Sequence, residues 1–298
     1  MRIQITQKFR LFSHLPGIRC LIPFTTWEAQ IFPTKIFLTN LAESGEKELD
    51  IESSLKGFTV MQDLERGRIT ISGKELKIPS FLKKHPLVPS KKRLFMGIHK
   101  KQDFEMIQRR SDMAEIFPFW FRLAQLIPEV PLPKKTIGTM QLLKEGKLDL
   151  LFQAAFQGIL CPRLKDENYL GLIPDVEVPK NLSPLGILHE GARQIEALFF
   201  QTEEDHLHFL PHLPKEFHAG RFIHLQTPDG DELDMEWSKK QLKKVLIRPA
   251  KTRSVTLVLK RGLKTFRVRK STRQKGERVA NTLHLKAGQT LYLDRFMK

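Results

Sequence analysis

Five of the ten histidines of this 298-residue chain fall in one stretch, HLHFLPHLPKEFHAGRFIH, from His206 to His224. Imidazole is a frequent metal ligand, and His206 and His208 share a face if the segment is a strand. Zinc would need three or four such donors converging at about 2.0–2.1 Å on one ion. The stretch offers no Cys and no HExxH pair. Its two Leu-Pro pairs, Leu210-Pro211 and Leu213-Pro214, describe a turn better than a metal site. No metal and no cofactor are therefore expected. Other chemistry lacks its motif: there is no GxSxG elbow, no GxxxxGK[ST] phosphate loop and no GxGxxG. Cys20 and Cys161 form no CxxC pair, which points to a reducing compartment.

Cations are the other chemistry-bearing set. The net charge is +17, and it is concentrated. Residues 239–298 hold nineteen Lys and Arg against two acids, while the other 238 residues balance at 31 of each sign. A field of that kind attracts anions such as acidic glycan, nucleic acid or lipid headgroups; it also describes a well-solvated set of strand faces. In VLIRPAKTRSVTLVLKRGLKTFRVRKSTRQK, basic residues alternate with Val, Leu and Phe. Lys264, Arg267, Arg269, Arg273 and Lys275 are the candidates to meet phosphate, sulfate or carboxylate. Phe266 is the one aromatic interleaved with them, so base stacking and sequence-specific nucleic-acid reading are not expected.

These residues need elements to position them. The hydrophobic share of 41% is that of a globular chain. No run of 18 apolar residues suggests a transmembrane helix, and the N-terminus has no secretory h-region, so a cytoplasmic location is expected. RIQIT, TWEAQIF, KIFLTN, GFTVMQDL and GRITISG alternate as strands, with a hairpin at Ser72-Gly73-Lys74. QDFEMIQRRSDMAEIFPFWFRLAQLI has helical spacing, and Pro118 should end or kink it. PEVPLPKK (128–135) is a stiff linker. A second helical region spans Thr136 to Ile159, a loop follows from Cys161, and ILHEGARQIEALFFQ is a third helix. Eight short strand patterns then run to the end. The expectation is a mainly β chain: a β-rich N-terminal domain (1–127), a short helical middle with its linker (128–200) and a C-terminal antiparallel β-sandwich (201–298).

One segment is more specific. FLPHLPKEFHAGRFIHLQTPDGDELDMEWSKKQLKKVLIRP resembles the C-terminal β-domain of glycoside hydrolase family 95, the α-L-fucosidase type. The matching residues are Leu210-Pro211, Leu213-Pro214, Phe217, Gly220, Leu225, Gly230, Trp237 and Leu242. RQIEALFFQ resembles the family's last catalytic-domain helix, and LKAGQTLYLD its terminal strand. The resemblance covers residues from about 186 onward and implies a carbohydrate-associated protein.

The resemblance also implies a catalytic barrel of twelve helices, placed before the β-domain. At about 11–12 residues per helix such a barrel needs well over 150 residues. The stretch 136–200 has room for two or three helices. Aligned on the family, Gly186 stands where its carboxylate would fall. Glu190 is the nearest acid, and Asp166 a loop acid that could accompany it; Glu167 and Asp175 share that loop. An acid–base pair would require one of the two carboxyls to have a raised pKa. A helix-surface Glu is the plainer account of Glu190. The expectation is a reduced, non-catalytic relative that binds a glycan or serves as a scaffold, or alternatively an anion-binding module. Trp27, Trp120 and Trp237 could stack on sugars but suit a core better. FPFWF (117–121) reads as an internal packing plug.

Overall fold

The computed structural model describes residues 2–43, 45–53, 55–79, 82, 87–97, 101–130, 183–260, 262–271 and 273–298. The second helical region, the loop from Cys161 and most of the Pro-rich linker lie outside them, as do Asp166, Glu167 and Asp175. The chain forms two compact units, one of Lys8–Pro89 with Lys100–Ala192, the other of Met1–Gln7, Ser90–His99 and Arg193–Lys298.

In the first unit, β1 (Arg10–Ser13), β6 (Val60–Asp63), β7 (Arg68–Ile71) and β8 (Lys74–Glu75) form one antiparallel sheet in that order. β2 (Ile18–Leu21), β3 (Trp27–Ile31), β4 (Lys35–Asn40) and β5 (Glu46–Asp50) form another. The KIFLTN alternation is realised directly: Ile36 and Leu38 are buried, Phe37 and Thr39 exposed. The β7–β8 hairpin turns on Ser72 (φ 47°) and Gly73 (φ 82°), the left-handed pair of a two-residue hairpin loop. RIQIT, in contrast, forms no strand.

The single helix expected after residue 101 is two. α1 (Phe104–Arg110) starts on Asp103, whose carboxylate accepts from Met106 N–H, and ends at Ser111 in the left-handed region. Asp112 then caps α2 (Met113–Ala124) by accepting from Ala114 N–H. Two Asp N-caps nine residues apart are the local reason for the break. Arg110 grips Glu115 across it with two hydrogen bonds of 2.8 and 2.7 Å. Pro118 lies inside α2 and does not end it. All ten residues from Glu115 to Ala124 are buried, so packing outweighs the missing N–H. Trp120 donates its indole N–H to Leu188 O at 2.9 Å in α3 (Leu185–Phe199). Gly191 makes that approach possible, because a Cβ there would lie 2.9 Å from Trp120 Nε1. The first half of α3, to Ala192, belongs to this unit and the rest to the other.

The second unit is a two-sheet β structure. Seven strands run in the order β17 (Glu277–Val279), β16 (Thr265–Arg269), β19 (Leu291–Met297), β14 (Gln241–Arg248), β13 (Glu232–Ser238), β12 (Gly220–Gln226) and β9 (Arg93–Phe95). Four more run β10 (Phe200–Glu203), β11 (His206–Phe209), β15 (Arg253–Leu259) and β18 (Thr282–Leu285). All pairings are antiparallel but β11 with β15, which are parallel. All eight expected C-terminal strands are present. β9, β10 and β17 are additions, β10 taking Phe200 and Gln201 from the end of the expected helix. The buried set includes Leu207, Phe209, Val255, Leu257 and Leu285 on the smaller sheet. On the larger it includes Phe222, Leu233, Met235, Trp237, Val245, Ile247, Phe266 and Leu293. One buried face per sheet, with polar residues alternating outward, is the sandwich pattern.

Trp237, 1% exposed, is the largest side chain of this core. The indole donates to Phe217 O at 3.3 Å and lies 5.2 Å from the Phe199 ring, which also stacks on Phe217 at 6.1 Å. Gly220 is opposite Trp237 in the β12–β13 register. A Cβ on Gly220 would be 2.2 Å from Trp237 Cζ2 and 2.6 Å from Phe95 O. Trp27 and Trp120 are buried as well, so all three tryptophans are core.

Candidate functional site

The histidines disperse. His206 is exposed and His208 half-buried on β11, ring centroids 6.4 Å apart, while His212 and His218 are exposed in the turn. His224 sits at the β12 bulge with φ 57°. Its N–H donates to Asp234 Oδ1 at 2.9 Å, and its Nδ1 is 3.1 Å from Glu232 Oε1. His224, Glu232 and Asp234 are the one set among the described residues whose ligand atoms all lie close enough, within 4.8 Å, to hold a metal. The sequence reading did not single it out. A cation is already there: Arg248 donates to Glu232 Oε1 at 2.6 Å and to Asp234 Oδ2 at 2.7 Å. Asp234 is 2% exposed, so the guanidinium offsets a carboxylate that would be costly to bury alone.

That arrangement repeats along the polar face of the seven-stranded sheet. Glu236 takes Arg221 at 3.3 Å and Lys244 at 2.9 Å. Asp294 faces Lys244 on one neighbour and Arg267 on the other. It accepts two hydrogen bonds from Arg267, at 2.7 and 2.8 Å, and one from Arg269 at 2.6 Å. The hydrogen bonding from Arg267, reinforced by the Arg269 charge, holds the Asp294 carboxyl below the usual carboxylate range. Arg267 is raised in turn. On the other sheet, Arg253 reaches Asp231 at 2.7 Å, Asp229 at 3.2 Å and Asp205 at 3.5 Å. Residues 201–238 carry nine acids against two bases, and six of them, Asp205, Asp229, Asp231, Glu232, Asp234 and Glu236, pair with Lys244, Arg248, Lys251 or Arg253. Among the described residues, six of the nineteen basic side chains of 239–298 are thus held in ion pairs.

Three of the other lysines line one cleft. Between β16, β17 and β18 lies a cleft of about 360 Å³. Val268, Val279, Leu283 and Leu291 give it an apolar floor. Arg269, Lys270, Lys275 and Lys286 stand around it, with Glu277 the one carboxylate in its lining. Lys270, Lys275 and Lys286 have no ion-pair partner among the described residues. Gln274, Gln289 and His284 add hydrogen-bonding groups. Of the five basic residues singled out in the sequence, Arg269 and Lys275 line this cleft. Lys264 is exposed at the opposite end of β16, Arg273 is exposed in the loop before β17, and Arg267 is held by Asp294. Lys270 and Lys286 were missed. Each sits just past a strand end, and only the register shows that both ends open on one space.

Glu190 is half-buried on α3. Beside it, His189 Nε2 lies 3.0 Å from Pro128 O, and burial lowers its pKa. The partner proposed for Glu190, Asp166, lies outside the described residues. A second cavity, of about 340 Å³, lies in the first unit beside Ile51, Ile71 and Leu76. Among its carboxylates, Glu75 is tied to Arg68 at 2.7 Å. Among the described residues, no helix is long and apolar enough to cross a membrane.

Phe217, Gly220 and Trp237, three of the residues that carry the resemblance, meet in one cluster. Residues 201–293 match the family described as glycoside hydrolase family 95, C-terminal domain. The match begins at Gln201, in β10, and ends at Leu293, in β19. It thus covers the two-sheet structure but not β9, which closes the seven-stranded sheet from residues 93–95. No curated protein matches the chain.

Proposed function

We propose that this glycoside hydrolase-related chain is a carbohydrate-associated protein, a reduced and non-catalytic relative of the fucosidase-type enzymes that binds a glycan or serves as a scaffold. The family match over residues 201–293 carries the reading. The interval between α2 and that match supports the non-catalytic part. Residues 128–200 are 73 in number. A twelve-helix barrel at about 11–12 residues per helix does not fit there. A binding role survives the loss of a barrel, because it needs a rigid sandwich and a surface on it.

The test is a paired measurement on the full chain. Aryl fucosides and galactosides are assayed for release of the aryl group, and the corresponding oligosaccharides for binding. Binding without turnover is expected. Turnover that disappears in Glu190→Gln would overturn the non-catalytic reading and make Glu190 the acid.

The cleft favours a second reading, in which the basic C-terminal strands serve an anion. Its three lysines without ion-pair partners among the described residues are the supporting observation. Electrostatic binding of this kind weakens steeply with salt.

A further inference from the structure

We propose that the cleft between β16, β17 and β18 is a binding site for an acidic carbohydrate, one carrying carboxylate or sulfate groups; this rests on the carbohydrate reading above and narrows it to a ligand class and a place. Three features of the lining point there. The first is charge: Lys270 and Lys275 from the β16–β17 connection and Lys286 from the end of β18 line one space. Elsewhere on this unit, Arg248, Arg253, Arg267 and Arg269 are each matched by acids. Lysines left without such partners around a concave site raise the local concentration of anions. The second is the floor. Val268, Val279, Leu283 and Leu291 form an aliphatic surface against which the C–H face of a pyranose can be buried. The third is the pair of amides, Gln274 and Gln289. Each offers both donor and acceptor, the complement of a hydroxyl.

The size, about 360 Å³, falls at the small end of the range for specific small-ligand pockets. A short segment of a chain would occupy it, not a long polymer in full. The lining holds no Phe, Tyr or Trp and one imidazole, His284, so a nucleic acid would find phosphate partners but a single small ring for its bases. A simple inorganic anion would leave the floor and the amides unused.

The experiment is calorimetric titration of the full chain at low and moderate salt with five probes. They are a galacturonate trisaccharide, a sulfated heparin-derived tetrasaccharide, a neutral galactose trisaccharide, inorganic sulfate and decanoate. One or both acidic sugars should bind, better than the neutral sugar and than sulfate, and which of them binds identifies the acid group. Lys270→Gln, Lys275→Gln and Lys286→Gln should each weaken that binding roughly fivefold, and the triple variant about a hundredfold. A control triple, Lys239→Gln/Lys260→Gln/Lys298→Gln, removes the same charge elsewhere and should leave it within twofold. Equal losses from both triples would mean a diffuse surface field and would overturn the site. So would sulfate binding as tightly as the sugars, or decanoate binding in their place. Glycan binding that the cleft variants leave unchanged would sink this site and keep the carbohydrate reading. Absence of binding to every sugar, in the wild type, would sink this site and the glycan-binding half of the carbohydrate reading together, leaving only the scaffold role.

Discussion

Asp294 holds two arginines, and the sequence shows neither bond. Read along the chain, Arg267 and Arg269 are the centre of a basic run; in space, a single carboxylate from β19 forks onto one and caps the other. What was legible in the sequence was the charge total and its placement. What was not legible was its cancellation, because the cancelling acids lie on β13, β19 and the turns and meet the bases only through register. The consequence is a pH dependence of known sign. The folded Asp294 carboxyl is lowered, chiefly by hydrogen bonding from Arg267. Its contribution is therefore fully present above the unfolded value of about 3.9 and is lost as pH falls through the lower folded value. Asp294→Asn should be less stable than the wild type at pH 7, and the difference should close as pH is lowered from about 4 through the folded value. Urea midpoints measured across that range check it. A difference that stays constant as pH is lowered would show that the substitution acts through packing instead.

At the scale of elements, the motif that carried the family resemblance turns out to be one contact. Leu-Pro repeats, Phe217, Gly220 and Trp237 could be read from the sequence because they act locally: the turn brings Phe217 O under the indole, and β12 offers Gly220 where a side chain would collide. The two Asp caps that split α1 from α2 were equally present in the sequence, yet the continuous apolar spacing across them concealed the break. Pro118 misled in the other direction, since burial on every side overrides a propensity that counts neighbours along the chain alone. The glycine makes a sharp prediction. Gly220→Ala places a Cβ 2.2 Å from Trp237 Cζ2 and should cost about 2–3 kcal/mol by overpacking. In a Trp237→Phe background, where the outer indole carbons are gone, the same substitution should cost less, the remainder being set by Phe95 O at 2.6 Å. A double-mutant cycle from chemical denaturation measures the coupling. Additive effects would mean that the backbone at Phe95, not the indole, sets the requirement for glycine.

At the scale of the molecule, the order of domains along the chain and the composition of the compact units differ in one decisive strand. Residues 93–95 are not among the strands expected from the sequence, because three residues carry too little periodicity to announce one. In the structure they form β9, which pairs with β12 and closes the seven-stranded sheet. Arg221 pairs with Phe95, Phe222 with Leu94, and Ile223 with Arg93. Long-range pairing of this kind is set by what covers an open edge, and no local pattern encodes it. Leu94, 1% exposed, should therefore report on the stability of a unit more than a hundred residues further along. Leu94→Ala is expected to cost that unit about 2–4 kcal/mol through the lost burial and the cavity left behind. The three tryptophans make the test specific. Trp237 belongs to the unit with β9, while Trp27 and Trp120 belong to the other. In a variant keeping Trp237 as the one tryptophan, Leu94→Ala should lower the urea midpoint of its fluorescence transition by an amount matching that cost. In the complementary variant carrying Trp27 and Trp120, a shift as large or larger would contradict the assignment of residues 90–99 to the C-terminal unit. An unchanged Trp237 transition would show that β9 lies on the sheet without supporting it, and that the family-matched strands hold together without this edge.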